Sequence, residues 1–298
     1  MTSRGERGAP GAVLVTGAAG LLGSAVVAAF REAGRPVLAY GHHELDVTDP
    51  AAVRARVRGD RPSTVVHCAA FTQVDRAEDE PERAWAVNRD GTRAVAQACA
   101  AVGARLLYLS TDFVFDGQGR RPYRPDDPTA PLGVYGASKR AGEEAVRAEA
   151  AEWAIVRTSW LYGPGGRNFV DAILDRATRG DPLRVVADQR GRPTYAPGLA
   201  QVLRELAERE VHGVWHVADG GEATWWDLAQ AACRRAGLKT DIEPVTTAEW
   251  GAAAPRPAYS VLDTTATEHF LGRSLPQWQE TLDLHVRMRE RERVGSAR

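Results

Sequence analysis

The stretch GAVLVTGAAGLLGSAVVAAF, residues 11–30, decides the fold. Residues 12–16 are a short apolar run, Gly17, Gly20 and Gly23 follow at three-residue intervals, and residues 21–30 are apolar again. The first run has the length of a buried strand and the second that of a short helix, so the stretch reads as strand, glycine-rich turn and helix. Glycine at such a turn lets the main chain approach a pyrophosphate closely, while the helix N-terminus offers unpaired N–H groups and a favourable dipole. The spacing differs from the common dinucleotide fingerprint, and a turn of this kind can also serve only to pack helix on strand. Its place after the first strand favours a nucleotide, and the uncharged Ala18-Ala19 pair leaves the approach open.

Outward from this unit, residues 37–40, 64–68, 106–110 and 154–158 read as further strands, with a turn at Arg35-Pro36 and helices over 82–101 and 135–149. Strands interleaved with helices imply right-handed crossovers and a parallel sheet. The expected fold is therefore α/β, a Rossmann-type doubly wound parallel sheet with a smaller C-terminal substrate-binding region. Ligands of such sheets bind beyond the carboxyl ends of the strands. After residue 160 the pattern loosens into Gly- and Pro-rich loops at 163–166, 190–198 and 251–257. The expected division is a flexible tail over 1–10, a cofactor-binding unit over 11–160 with later strands from about 184–218, and a mainly substrate-binding region over 161–298. The charged run 287–293 reads as a solvated helix end.

Composition narrows the partners. With 38 basic and 39 acidic residues the net charge is −1, so no global field recruits nucleic acid or an anionic membrane. Cys68, Cys99 and Cys233 are odd in number and show no paired spacing, as expected of reduced, buried thiols. A polar N-terminus and a glycine-interrupted first apolar run argue against a signal peptide or a membrane span. His42 and His43 are adjacent but lack companion ligands, so no metal is expected. These features describe a soluble, cytoplasmic protein.

The chemistry concentrates in Ser110-Thr111-Asp112 and in PLGVYGASKRAGEEAV, where Tyr135 and Lys139 stand four apart. Positions four apart share a helix face, so both side chains reach one substrate oxygen. A tyrosine hydroxyl, ordinarily near pKa ~10, transfers protons slowly at neutral pH unless nearby positive charge stabilises its phenolate. Lys139 supplies such a charge. The same spacing also occurs on solvated faces that carry no chemistry, and it is the neighbouring motifs that favour a hydride-transfer site. The second strand ends at Tyr40-Gly41-His42-His43 without the acid that commonly holds the adenosine ribose of NAD. NADPH is the expected cofactor, with NADH possible.

In these motifs the chain resembles the extended short-chain dehydrogenases/reductases and, within them, the dTDP-4-dehydrorhamnose reductase family, over roughly residues 12–280. The carrying segments are VTGAAGLLG, ELDVTDP, VVHCAAFTQVDRAEDEPERAWAVN, LSTDFVFDG, PLGVYGASKRAGE, VRTSWLYG, NFV, DQRGRPTYA, ATWWDLA and RPAYSVLDT. The resemblance implies reduction of the C4 keto group of a dTDP-4-keto-6-deoxyhexose, most simply dTDP-4-dehydro-L-rhamnose. It implies that Gly17, Gly20, Leu21, Leu22 and Gly23 hold the dinucleotide, that Asp46 and Val47 frame the adenine, and that Cys68, Ala69 and Ala70 line the cofactor cleft. Thr111, Tyr135 and Lys139 would be the catalytic trio: Thr111 bonds the C4 oxygen, Tyr135 protonates it, and Lys139 binds the nicotinamide ribose while lowering the Tyr135 pKa. Asp112, Phe113, Trp160 and Asn168 would contact the sugar and Arg256 the pyrophosphate; a plain surface charge is the other reading of Arg256.

Departures from the family pattern leave room beside this expectation. Where family members that dimerise through magnesium carry glutamates, this chain has Ala25 and Pro197, so a monomer or a dimer without a metal link is expected. His67 and Tyr259 replace frequent asparagines, which favours as an alternative a pathway-specific deoxysugar ketoreductase of secondary metabolism. Phe113 stands where 4,6-dehydratases of this fold place the second acid of a dyad, and phenylalanine cannot exchange a proton. A third reading, from another class, is a non-catalytic NADP-binding regulatory subunit.

Overall fold

The computed structural model describes residues 11–296, and the tail expected over 1–10 lies outside the described residues. The first half alternates strand and helix: β1 (Val13–Thr16), α1 (Leu21–Glu32), β2 (Val37–Tyr40), α2 (Pro50–Asp60), β3 (Thr64–His67), α3 (Val74–Asp79), α4 (Pro81–Trp85), α5 (Thr92–Val102), β4 (Arg105–Thr111), α6 (Val134–Glu149) and β5 (Trp153–Thr158). The second half is more broken: β6 (Leu161–Tyr162), α7 (Phe169–Arg179), β7 (Leu183–Val186), β8 (Arg190–Gly191), β9 (Thr194–Tyr195), α8 (Ala196–Glu208), β10 (Gly213–His216), β11 (Ala223–Thr224), α9 (Trp225–Arg235), β12 (Ile242–Val245), α10 (Thr247–Trp250), α11 (Thr265–Leu271) and α12 (Trp278–Ser296).

Six strands form the central sheet in the order β10-β5-β4-β3-β1-β2, and every pairing is parallel. The strand order reverses between β1 and β3, which places the ligand crevice at their carboxyl ends. β1 and β3 are buried along their whole length because helices cover both faces, which is why VLVT and TVVH read as continuous rather than alternating apolar runs. One face packs Val26 and Phe30 of α1 and Leu199 and Leu203 of α8 against Val13, Val15 and Val156. The other packs Val53 and Val57 of α2 and Val95 and Cys99 of α5 against Leu14, Val65 and Leu106. A separate cluster around Ile173, Leu228 and Leu282 forms the core of the C-terminal half.

Three elements differ from the expectation. The helix expected over 82–101 is interrupted by a π-helical turn, Ala86–Gly91, between α4 and α5. Such a turn accommodates one extra residue. Here the carbonyl of Asn88 accepts the Thr92 hydroxyl at 2.8 Å, and it sits where a Cβ on Gly142 of α6 would come within 2.4 Å. Only glycine fits that approach. The loop expected over 190–198 instead holds β8, β9 and the first turn of α8, where Pro197 is tolerated because no intrahelical N–H is needed there. Of the strands expected between 184 and 218, only β10 joins the central sheet; β7 pairs with β12 in the C-terminal half.

The two halves are stitched together by the segment after α10. Tyr123 N donates to Val261 O at 2.8 Å, Asp263 N to Tyr123 O at 2.7 Å and Tyr259 N to Gly117 O at 3.1 Å. Gly117 has φ +72°, and a Cβ there would lie 2.5 Å from Pro257, so the crossing depends on glycine.

Candidate active site

The glycine-rich turn packs closely against the protein's own main chain. Gly17 has φ +63°, and a Cβ there would meet the Ala69 nitrogen at 2.7 Å, while one on Gly23 would meet the Gly17 carbonyl at 2.1 Å. Helix α1 begins after Gly20 with no side-chain cap, so the N–H groups of its first turn, from Leu21, Leu22 and Gly23, point out without intrahelical partners. These features fit a dinucleotide pyrophosphate. The Thr158 hydroxyl at the carboxyl end of β5, beside Thr111 in the sheet, is buried without a hydrogen-bond partner. Cys68, Ala69 and Ala70 follow β3 and are half-buried, and the Cys68 thiol is pushed up to about 12 by burial, which makes it a poor nucleophile. The three cysteines are free; Cys99 and Cys233 are buried.

Of the residues expected at the adenine, Val47 is buried and Asp46 exposed, its Oδ1 accepting Thr48 N at 2.9 Å and Thr48 Oγ1 at 2.8 Å. No acid stands in sequence at the end of β2, yet the fold brings one near. The Glu44 carboxylate folds back so that a Cβ on Gly41 would lie 2.8 Å from its Oε2.

Thr111, Tyr135 and Lys139 converge where β4 ends and α6 begins. Thr111 is buried and caps the short 3-10 turn Asp112–Val114, accepting Phe113 N at 3.2 Å and donating to Asp112 Oδ1 at 3.1 Å. Tyr135 and Lys139 lie on α6, whose first N–H, from Val134, is capped by Glu78 Oε1 at 2.8 Å. The Tyr135 ring meets Phe113 edge-on at 5.5 Å. Burial pushes the Tyr135 hydroxyl up to about 12, contact with the Thr111 hydroxyl works against this, and the Asp112 charge adds to it.

The lowering of the Tyr135 pKa expected from Lys139 is not seen. The ammonium of Lys139 donates to Leu109 O at 2.6 Å and stands 4.2 Å from the centre of the Tyr108 ring, so its charge is engaged there. Burial acts on Lys139 itself, pulling it down to about 7, against the opposing pull of Glu143 and Cys68. Lys139 is thereby a group whose charge changes near neutrality.

The expected sugar-side residues divide by what holds them. Asp112 is buried, with Oδ2 accepting the Ser260 hydroxyl at 2.6 Å; burial raises its carboxyl to about 7 despite the hydroxyls of Ser260 and Thr111. Trp160 adopts φ +47°, a conformation few non-glycine residues take, and its indole stacks 3.7 Å from Trp225 at 8°. Gly191 lies behind it, where a Cβ would fall 2.5 Å from the ring. Asn168 caps α7, accepting Asp171 N at 3.0 Å and donating to Gly163 O at 2.9 Å and Asp171 Oδ2 at 2.6 Å. Its amide is spent on shaping the 163–168 loop, which folds onto Leu21 and Ser24 of α1. Arg256 is paired through two prongs to Asp75, at 2.9 and 2.7 Å, and this pairing holds the Asp75 carboxyl below its usual range.

Several residues of the site were not singled out by the sequence. Trp225 is the second wall behind Trp160, and Ser260 reaches Asp112 across the two halves. Asn88, turned inward by the π turn, donates to Ser138 Oγ at 2.9 Å, which in turn donates to the Tyr135 carbonyl at 2.8 Å. His67, one of the departures from the family pattern, is wholly buried between Thr16 Oγ1 at 2.7 Å and Thr92 Oγ1 at 3.1 Å. Burial and the Lys139 charge hold its pKa down at about 3, so it is a neutral structural group.

A buried Thr111 hydroxyl beside a half-buried Tyr135, a lysine drawn down to about 7 and an uncapped helix over a glycine turn make a site for hydride transfer to a carbonyl. The comparisons agree with this geometry. The family described as RmlD substrate binding domain matches residues 11–290. A dTDP-4-dehydrorhamnose reductase of Streptomyces griseus is 45% identical over 276 residues, spanning 90% of this chain and 91% of that protein. A probable dTDP-4,6-dihydroxy-2-methyloxan-3-one 4-ketoreductase of Streptomyces antibioticus is also 45% identical, over 84% of this chain and 85% of that one. The crystal structure of dTDP-4-dehydrorhamnose reductase from Bacillus anthracis in complex with NADP superposes with a TM-score of 0.90 at 37% identity, covering 93% of this chain and 98% of that one. By profile, by sequence and by fold, the chain belongs to the RmlD substrate binding domain family.

Proposed function

We propose that this chain reduces the C4 keto group of a dTDP-4-keto-6-deoxyhexose with NADPH, and that its substrate is dTDP-4-dehydro-L-rhamnose. The observation that carries the reading is the convergence of Thr111, Tyr135 and Lys139 at the carboxyl edge of β4, in a sheet whose first helix begins uncapped after Gly20. Bound reduced nicotinamide supplies the hydride. The chain's own residues manage the charge that then develops on the sugar O4. Tyr135 gives its hydroxyl proton to O4, which a hydroxyl held at about 12 does readily once that oxygen becomes an alkoxide. Thr111, whose hydroxyl proton lies on Asp112 Oδ1 in the free site, turns that proton to O4 as a second donor, stabilising the transition state more than the ketone. Lys139, held on Leu109 O beside the Tyr108 ring in the free site, would favour the tyrosinate left behind only by turning its ammonium toward Tyr135 when the cofactor binds. Trp160 and Trp225 form a rigid apolar wall for the hexose, and Arg256 takes the pyrophosphate in exchange for Asp75.

In this reading residues 11–160 with β10 hold the cofactor, and 161–298 mainly the sugar. Gly17, Gly20, Leu21, Leu22 and Gly23 seat the pyrophosphate, Asp46 and Val47 frame the adenine, and Cys68, Ala69 and Ala70 line the cleft. Asn168 serves indirectly, through the loop it shapes over α1. The protein works in the cytoplasm as a monomer or as a dimer without a metal link; Ala25 and Pro197 offer no carboxylate for such a link. Among the described residues no helix is long and apolar enough to cross a membrane.

A second reading, a pathway-specific ketoreductase acting on another dTDP-4-keto sugar, is favoured by the Streptomyces antibioticus relative, which matches at the same identity as the rhamnose-pathway enzyme. A non-catalytic subunit would have no use for the trio. The test is oxidation of NADPH with dTDP-4-dehydro-L-rhamnose generated in place, followed by NMR of the product's C4 configuration. Rapid formation of dTDP-L-rhamnose supports the main reading. Slow turnover with that sugar and fast turnover with another supports the second.

A further inference from the structure

Behind the reacting face lies a buried acid and base that no step above uses. Arg157, near the end of β5, and Glu143 on α6 are 2% and 0% exposed. They meet through two prongs, Nε to Oε1 and Nη2 to Oε2, both at 2.8 Å. Ser110, beside Thr111 on β4, donates its hydroxyl to the same Oε1 at 2.7 Å, and Arg147 reaches Oε2 at 3.1 Å. Arg157 also donates to the Pro125 carbonyl at 3.2 Å, lies 3.4 Å from His216 Nε2 on β10 and covers the Phe115 ring at 5.1 Å. One guanidinium thus ties together α6, which carries Tyr135 and Lys139, the end of β5, which leads into Trp160, and the loop after Thr111.

A fully buried ion pair is weak support for stability, because desolvation offsets most of its Coulomb attraction. What it provides is geometry. Glu143 follows Lys139 by four residues and Tyr135 by eight, so all three share one face of α6. A carboxylate gripped from two sides fixes the rotation of that helix relative to β4 and β5.

We propose that Glu143 and Arg157 are positioning residues for the reduction: the pair sets α6 against the ends of β4 and β5, and the Glu143 carboxylate favours the ammonium form of Lys139 one turn away. This rests on the reductase reading. The groups facing Glu143 are Ser110 and Tyr108 from β4, Arg157 from β5, Arg147 on its own helix and His216 from β10. Those facing Lys139 are Cys68 and His67 at the end of β3 and the Tyr108 ring. His216 is held neutral, down at about 3, by burial and by Arg157, so it does not compete for the carboxylate. Burial would push Glu143 up, but Arg157, Ser110 and Arg147 together keep it below the usual range and therefore charged.

The chain has two lysines, Lys139 and Lys239. Protein labelled with carbon-13 lysine therefore gives two side-chain signals, assigned with Lys239→Arg, and Lys139 can be titrated without any turnover. Glu143→Gln keeps the shape of the side chain and loses its charge. The expected result is a Lys139 midpoint displaced to lower pH, kcat reduced about tenfold and NADPH Kd within about twofold of wild type. Arg157→Lys keeps the charge but cannot form the two-pronged contact. It should lower kcat about tenfold while the alkaline limb of the rate profile stays in place. A folded Glu143→Gln protein with an unmoved Lys139 midpoint overturns the electrostatic half of the proposal, and an Arg157→Lys enzyme with wild-type kcat overturns the geometric half. Failure to reduce any dTDP-4-keto sugar would count against the reductase reading alone, since the NMR titration does not depend on it.

Discussion

Ser260 donates its hydroxyl to Asp112 Oδ2 at 2.6 Å, joining two buried residues 148 positions apart in the chain. The other oxygen of Asp112 accepts from Thr111, so a residue of the C-terminal half orients the carboxylate that orients the threonine hydroxyl. Ser260→Ala should lower kcat/KM about tenfold, equivalent to about 1.4 kcal/mol of transition-state stabilisation. Leaving Asp112 one partner short should also destabilise the fold by about 1–3 kcal/mol. Steady-state rates and urea unfolding check both numbers, and wild-type kinetics would detach Ser260 from the site.

Tyr135→Phe removes the hydroxyl proposed as proton donor but leaves the ring packed edge-on against Phe113. It should reduce kcat by about two orders of magnitude or more, with NADPH affinity essentially kept. Fluorescence titration of NADPH and single-turnover rates separate the two. Full activity in this variant would remove Tyr135 from the chemistry.

Lys139 gives stability a sign with pH. Its pKa in the fold, about 7, lies below the ordinary 10.5. Between those values the unfolded chain binds a proton that the folded chain does not, so stability rises as pH rises through this window. Below pH about 7 both states are protonated and the penalty is constant. The stability difference between wild type and Lys139→Met should therefore shift in favour of wild type from neutral to alkaline pH. Denaturant unfolding of both proteins across that range measures it, and parallel curves would contradict the buried ammonium.

Arg256 is held by Asp75 before any pyrophosphate arrives. Arg256→Ala should raise KM for the nucleotide sugar about tenfold with kcat nearly unchanged. Asp75→Asn, which frees the guanidinium, should lower KM severalfold. An unchanged KM in Arg256→Ala would place the pyrophosphate elsewhere.

Much of this was legible in the sequence, and the parts that were not share a physical cause. Strand and helix periods located β1 to β5 within a residue or two, because buried parallel strands are continuous apolar runs and the helices between them are amphipathic. Tyr135 and Lys139 were visible as a pair because a helix converts a local spacing into a shared face. Ser260, Glu44 and the Glu143–Arg157 pair were invisible because their meaning depends on contacts between distant segments. Asn168 was expected to contact the sugar, yet which partners its amide satisfies was decided by the turn of the 163–168 loop. The burial that raises Tyr135 and lowers Lys139 belongs to the same class, since it is a property of the assembled core.

The π turn at Ala86–Gly91 makes chain length, more than residue identity, the fixed quantity in this segment. Substitutions on its exposed side leave the count unchanged. Removing a single residue would let α4 and α5 fuse into one regular helix whose two ends keep their phase, because the wide turn had absorbed the extra residue, while the residues inside the turn lose their present facing. Asn88 would then face away from Ser138 and from the Phe71 main chain that it now pairs with at 2.8 and 3.0 Å. A variant library of this chain should thus tolerate point changes between 86 and 91 far better than one-codon deletions, with the locally more regular helix belonging to the inactive protein.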